Sequence, residues 1–315
     1  MTARRLWSWL AVCLVLAALF APLVANDLPL VAEDPAAGLR FPAVADWLGA
    51  EVPPPAGHTW ATWTARQEDD SVHTCIRTPW PHGPERVDTR RIDASPSWAH
   101  PMGCDDLGRD VFSRVLHGAR SALLVGILSA LLAMATGLLL GSIAGMRGGL
   151  ADAMVLGLVE LFLCFPALFL ALVAGSLFGP STTALVCVVA AVSWPVFARM
   201  VRAELLAMRN ADFVLAARGL GVGNASLLLR HMLPQLRSQL AVTFVLVVAQ
   251  AVVVESTLTF LGLGGNRASW GAILAQGRDG AHLGKWHLWL FPALAVSVTV
   301  LCCHALAARA ASRVR

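Results

Sequence analysis

The sequence carries few charged residues for its length. Only 14% of its 315 residues are Asp, Glu, Lys or Arg, whereas 57% are hydrophobic. Soluble globular domains carry roughly 25% charged residues, because their surfaces face water. The shortage of charge therefore argues against an ordinary soluble domain and indicates a protein that crosses a membrane several times.

Lysine is almost absent, since Lys285 is the only one in the chain. A phosphate-binding loop needs the pattern G-x-x-x-x-G-K-[ST], in which the backbone and the lysine hold phosphates. Gly284 precedes Lys285, but Asp279 stands at the first glycine position and Trp286 follows the lysine. We therefore predict no ATP site of this type and no cofactor in this chain; an ATP-driven process would need another chain.

The formal net charge of +4 comes almost entirely from arginine. The arginines are dispersed near the edges of hydrophobic runs, and no stripe of alternating aromatic and basic residues accompanies them. This distribution argues against a nucleic-acid partner and indicates membrane orientation.

Six hydrophobic runs are each close to the roughly 20 residues that cross a bilayer as a helix. They predict an all-α polytopic membrane protein with spans at residues 6–25, 121–146, 153–178, 182–201, 240–263 and 286–308. Residues 1–26 contain the first span, although their basic start and Ala25 also suit a cleaved signal peptide. Residues 121–308 form a five-helix core, and residues 309–315 form a tail.

A long polar segment, residues 27–120, separates the first two spans and is predicted to form a small subdomain outside the membrane. It contains Cys75 and Cys104, which would lie in an oxidising compartment. Spacing in one chain does not establish disulfide geometry, so the sequence leaves both a bond and two separate thiols open.

Residues 211–234 form the main polar-faced segment between spans in the second half of the chain. Asp212 is placed to cap a helix start, and Phe213, Ala216 and Ala217 share the face of an amphipathic helix. Three glycines then predict a turn, because glycine adopts left-handed conformations at little cost; they are Gly219, Gly221 and Gly223. A second helix is expected to end at Pro234. The pattern indicates a docking element, against the alternative of an ordinary connecting loop.

This segment resembles the EAA loop of bacterial ABC-importer permeases. The matching residues are Ala216, Ala217, Gly221, Leu233 and Pro234, whereas Leu215 stands where the family has its glutamate. The resemblance implies that residues 202–237 form a cytoplasmic coupling loop, whose helix sits in a cleft of an ATP-hydrolysing subunit.

A second resemblance is to permeases of the dipeptide/oligopeptide transport subfamily. It rests on ESTLTFLGLG at residues 255–264, on Ser269-Trp270-Gly271, and on Asp105, Leu107, Gly108, Arg109, Asp110, Arg114, Gly118 and Arg120. Physically, residues 111–116 carry an apolar stripe after two charged residues, which predicts an interfacial helix with Arg109 and Asp110 near water.

The two resemblances together imply one permease subunit of a binding-protein-dependent importer of peptides or peptide-like solutes. Its expected partners are a second homologous permease, two ATPases that bind ATP and Mg, an extracytoplasmic substrate-binding protein and membrane lipid. The expected location is the bacterial inner membrane with both termini cytoplasmic. This orientation also agrees with the positive-inside rule, because it places Arg147, the arginines of the coupling loop and those of the tail on one side.

Two acidic residues fall within predicted spans and are candidates for a translocation path or a gate. Glu160 lies in the third span and Glu255 in the fifth, and ionisable groups inside a membrane usually have a function. A structural hydrogen bond is the alternative for each. No nucleophile–base pair, metal cluster or carboxylate dyad can be assembled, so we predict neither catalysis nor a metal site.

Two other function classes stay open at this level. An ion-coupled secondary transporter would use Glu160 and Glu255, and a non-transporting scaffold would bind a partner through the outer subdomain. The second span also carries Gly137, Gly141 and Gly145. Their spacing suits close helix packing, either within the chain or across a dimer.

Overall fold

The computed structural model describes residues 2–34, 38–50, 52–54, 60, 75–179, 181–264, 268–280 and 284–312. Numbered along these residues, the helices are α1 (Thr2–Val24), α2 (Pro42–Trp47), α3 (Val111–Arg147), α4 (Gly149–Cys164), α5 (Ala167–Phe178), α6 (Thr182–Met208), α7 (Asp212–Gly219), α8 (Asn224–Ser226), α9 (Arg237–Phe260), α10 (Trp270–Gly280) and α11 (His287–Ala311). The strands are β1 (Val31–Asp34), β2 (Gly38–Arg40) and β3 (Cys75–Ile76).

Helix α3 is the central element, and it is longer than the sequence predicted. Its 37 residues combine the expected interfacial helix and the second span without a break. The Asp110 side chain caps its first turn by accepting from the Ser113 N–H at 2.8 Å, and Gly148 ends it with a φ of +67°. Arg109 and Asp110 are buried, so the expectation that they lie near water is wrong.

The three glycines of α3 pack against α6 within the same chain. A Cβ at Gly137 would lie 2.5 Å from the Phe197 Cβ, and one at Gly141 would lie 2.6 Å from the Ala198 carbonyl oxygen. Only glycine permits this approach, which lets the two backbones pack closely without side chains between them. The structure therefore assigns the glycine stripe to packing inside the chain and makes α3 and α6 one tightly packed pair.

Four segments are long and apolar enough to cross a membrane: α3, α6, residues 224–260 and α11. Helices α4 and α5 would add a fifth if they were counted together as one broken span. Their axes meet at an angle of 80° at the break between them. Pro166, in an extended conformation, separates them, so the third predicted span is not one continuous helix. Within α1, the segment Trp9–Val24 is apolar but shorter than these four segments. Six spans therefore stay a prediction.

A small antiparallel sheet lies between α1 and α3, which the all-α prediction missed. Its strand order is β2-β1-β3, with Ala32 opposite Cys75. The segment after β3 holds the end of α1, because Thr78 Oγ1 donates to the Asn26 carbonyl at 2.6 Å. We call this end of the bundle, where α3 begins, the sheet end. The opposite end, where α3 stops and α7 lies, is the loop end.

No disulfide joins Cys75 to Cys104, both of which are described. Cys75 belongs to the sheet, whereas Cys104 is buried beside α11, where its carbonyl lies 3.1 Å from His287 Nε2. Burial raises the pKa of the Cys104 thiol to about 11, so the thiolate that forms disulfides is scarce. The structure thus decides the open alternative in favour of separate thiols.

Candidate functional site

The predicted docking segment forms the helix, turn and second helix that its sequence indicated. Helix α7 runs from Asp212 to Gly219. Asp212 lies in the first turn, and its side chain makes no capping bond; Ala211 is the capping residue. In the turn that follows, Gly221 has a φ of +81° with nothing within 4 Å of a Cβ. Gly221 thus supplies the left-handed residue, while Gly219 and Gly223 do not adopt positive φ values.

The burial pattern of α7 shows which face is available to a partner. Val214 and Ala217 point inward, at 0% and 7% exposure, whereas Ala216 is exposed. Leu215 is 51% exposed, and Leu220 after the helix is 85% exposed. Ala216 and Ala217, which the sequence placed together on one contact face, therefore have different environments, and only Ala216 is on the surface.

The inward face of α7 packs against residues 227–232, within a buried cluster that also reaches the end of α6. Val214 and Ala217 belong to one buried apolar cluster with Val201 and Leu205 of α6. Leu205 also packs against Gly145 of α3, where a Cβ would lie 2.9 Å from the Leu205 Cβ. Contact is thus continuous from the docking helix through α6 to α3.

Pro234 does not end the second helix, contrary to expectation. After α8, residues 227–232 form a π-helical turn and residues 233–236 a 3-10 turn, and the chain continues directly into α9. Pro234 is at the start of the 3-10 turn, where its missing N–H removes no bond that the turn needs. The irregular turns therefore accommodate both Leu233 and Pro234 in one helical rod from Asn224 to Phe260.

An ion pair beside the docking segment was not anticipated from the sequence. Both Arg202 nitrogens Nε and Nη2 donate to Asp152, and the Nη2–Oδ2 distance is 2.7 Å. The pair joins the start of α4 to the end of α6 at the loop end. The sequence indicated only that Arg202 lies at the end of a span, because its partner lies 50 residues away.

The two carboxylates proposed for a path differ in their surroundings. Glu160 is exposed on α4 of the isolated chain. Glu255 is 1% exposed on α9, where Oε2 accepts from Ser256 Oγ at 3.3 Å. Among the described residues, no basic side chain pairs with Glu255. The structure does not bring the two carboxylates into one site, and their roles stay predictions.

The charged residues of the second resemblance form a buried network at the sheet end. Asp105 accepts from Arg109 Nε at 2.8 Å and from Arg114 Nη1 at 2.5 Å. Arg114 Nη1 also donates to Gln276 Oε1 at 2.6 Å, which joins α3 to α10. The network therefore fixes the start of α3 against a second helix, and these motif residues have a structural use.

Trp270 completes this contact between α3 and α10. Its Nε1 donates to the Val115 carbonyl at 2.8 Å, and a Cβ at Gly118 would lie 2.6 Å from its ring. In the ranges that the structure describes, no group of three or more His, Cys, Asp or Glu side chains is placed to hold a metal ion.

Comparison with known proteins points to transport. Residues 137–315 match the family described as the inner membrane component of binding-protein-dependent transport systems. A protein of Brucella ovis named as a peptide permease is 42% identical over 225 residues, covering 70% of this chain and 74% of the relative. The glutathione transport system permease protein GsiD of Pectobacterium atrosepticum is 36% identical over 216 residues, covering 68% and 71%. The chain therefore belongs to the family of inner membrane components of binding-protein-dependent transport systems.

Proposed function

We propose that this permease subunit of an ABC importer forms half of a translocation path for peptides or peptide-like solutes. Its relatives named for peptide and glutathione transport support this substrate class. The family match sets aside the ion-coupled secondary transporter and the scaffold. The observation that carries the mechanism is the exposed surface of α7, held on the α3–α6 pair.

The proposed assembly contains a second homologous permease, two ATPases that bind ATP and Mg, and an extracytoplasmic substrate-binding protein. The six-span topology needs α1 and the bent α4–α5 pair to count as spans. Both termini then lie in the cytoplasm, in the orientation that the positive-inside rule favours. The sheet end faces outward and the loop end meets the ATPases.

Helix α7 is the proposed coupling helix. Leu215, Ala216 and Leu220 form the exposed surface that enters a cleft of the ATPase. Since Leu215 is the residue at the family's glutamate position, the contact here is apolar rather than ionic. Burying exposed apolar area gains about 25 cal/mol per Å², and this gain is insensitive to salt screening.

Movement of α7 would pass to the helices through close packing. Its buried face shares one apolar cluster with residues 227–232 and with Val201 and Leu205, so displacement of α7 would pass through this cluster to the end of α6. The glycine contacts make α3 follow α6, while the Arg202–Asp152 pair pulls the start of α4. Packed helices shift as units rather than deform continuously. Glu255 and Glu160 are proposed to respond to this shift at the gate or in the path.

Copurification with the ATPase subunits of the same transport system tests the coupling helix. Leu215→Asp places a charge on the docking surface without touching the buried face, so we expect ATPase retention to fall at least about tenfold. Leu150→Asp is the matched control, because Leu150 is 78% exposed and lies outside α7. Full retention of the ATPase by Leu215→Asp would exclude α7 as the docking helix.

A further inference from the structure

A polar pocket of about 390 Å³ opens at the sheet end, apart from the docking surface and the spans. It lies between residues 82–91 and residues 100–110, just outside the start of α3. Its size falls within the roughly 300–1,000 Å³ typical of small-molecule sites. Gly108, with a φ of +74°, brings the two segments together, since a Cβ there would meet the Asp88 carbonyl oxygen.

The charges that line the pocket are unequal. Three arginines face two aspartates, which leaves one net positive charge when the histidines are neutral. The two aspartates already have partners. Asp110 caps α3 and accepts from Trp80 and His100, and Asp88 pairs with Arg91 at 3.5 Å.

Among the described residues, Arg86 and Arg90 are the two arginines of this pocket without a carboxylate partner. Within the described ranges, neither guanidinium makes a hydrogen bond or an ion pair. A guanidinium presents a planar set of N–H donors that matches the two oxygens of a carboxylate. A single excess positive charge suits a monoanion such as a carboxylate better than a doubly charged phosphate.

We propose that this pocket binds the carboxylate of a small solute, held by Arg86 and Arg90. The site is independent of the coupling helix and of the transport function proposed above. A carboxylate placed there would lie beside His100, whose Nδ1 is 2.7 Å from Asp110 Oδ1, while the second oxygen of the same carboxylate, Oδ2, caps the start of α3. Occupancy of the pocket is thereby linked to the capped end of the longest helix.

One histidine of the pocket, His82, would make this binding depend on pH. The His82 ring lies against the His100 ring at a tilt of 42°, with ring centroids 4.6 Å apart, and it also faces Asp110, Arg86 and Arg91. Burial, followed by the proximity of His100, lowers the pKa of His82. As the pH falls through that value, His82 gains a proton and the pocket gains a positive charge, so carboxylate binding strengthens. The gain is lost only when the ligand carboxyl itself is protonated, near pH 3.5.

Ligand-observed saturation-transfer NMR on the full chain in lipid nanodiscs tests the proposal. The probes are trialanine, trialanine amide and acetate, which separate the carboxylate from the peptide. We expect trialanine to bind at least about tenfold more tightly than its amide, because the amide lacks the charged acceptor. Acetate that competes at the same concentration identifies the carboxylate alone as the ligand, whereas far tighter trialanine identifies a peptide.

The combined substitution Arg86→Gln and Arg90→Gln should weaken trialanine at least about tenfold. Arg77→Gln is the control for a single arginine, since it makes the same replacement at an exposed arginine of the same region outside the pocket. Both pocket arginines are exposed, so their replacement leaves the buried core intact. Equal binding of trialanine and its amide, or undiminished binding to the double variant, would overturn the proposal.

Discussion

Replacement of Gly137 by alanine tests the close packing between α3 and α6. The added Cβ would lie 2.5 Å from the Phe197 Cβ, 2.7 Å from the Trp194 carbonyl oxygen and 2.9 Å from the Ala198 nitrogen. Carbon atoms in contact prefer separations of about 3.5–4.0 Å, so the two helices must separate by roughly 1 Å. Two of the three atoms belong to the α6 backbone, and a side-chain rotation therefore does not relieve the clash.

The magnitude follows from two opposing contributions. Overpacking typically costs about 1–3 kcal/mol, while a glycine-to-alanine change inside a helix gains about 1 kcal/mol. Gly137→Ala should therefore destabilise the chain by up to about 2 kcal/mol. Gly145→Ala should cost less, because its closest contact, the Leu205 Cβ, lies at 2.9 Å rather than 2.5 Å, and the next, Leu205 Cδ1 at 3.2 Å, can rotate away. Gly157→Ala should be neutral or stabilising, since nothing lies within 4 Å.

Thermal unfolding of the purified full-length variants in one detergent measures this order. We expect the melting temperatures to rise from Gly137→Ala through Gly145→Ala to Gly157→Ala. All three substitutions add the same methyl group to a helical glycine, so differences in propensity largely cancel. If Gly137→Ala melted as high as Gly157→Ala, the close contact between α3 and α6 would be wrong.

The remaining predictions concern the turn, the pocket and the buried network. Gly221→Ala should raise protease cleavage of the docking loop, because an alanine in the left-handed conformation costs about 1 kcal/mol. Gly219→Ala should leave cleavage unchanged, because Gly219 does not have a positive φ. Carboxylate binding at the sheet end should strengthen as the pH falls below about 6.5 and become flat in His82→Gln, measured by NMR titration. Asp105→Ala should lower the melting temperature by the equivalent of about 3–5 kcal/mol, because buried arginines lose their anion; an unchanged melting temperature would refute this.

Local sequence patterns predicted the docking helix and its turn. The glycine signal places the end of α7 correctly, because it acts over a few neighbouring residues, whereas the Asp212 side chain does not cap the helix as the sequence predicted. They did not predict that Ala217 faces inward, since a short helix gains its orientation from what it packs against. Here that surface is a cluster formed by residues 227–232 and the end of α6, which no local pattern within α7 describes.

Partners far apart in the sequence account for most of what was missed. Arg109 and Asp110 resemble a solvated charged pair locally, yet the fold buries both in polar networks that reach other segments of the chain. Likewise, Pro234 predicts a helix end only if the helix stays regular, and the π and 3-10 turns remove that condition. Periodicity within one segment contains no information on either feature.

The length of α3 has a further consequence for the whole transporter. Its 37 residues extend about 55 Å, whereas the hydrocarbon layer is about 30 Å thick. The first turns of this rod must therefore stand clear of the lipid, with the carboxylate pocket at their tip. A tilt of about ten degrees at the foot of a rod this long would sweep the tip sideways by about 10 Å. In the proposed orientation, small motions at the loop end would thus appear, magnified, at the sheet end.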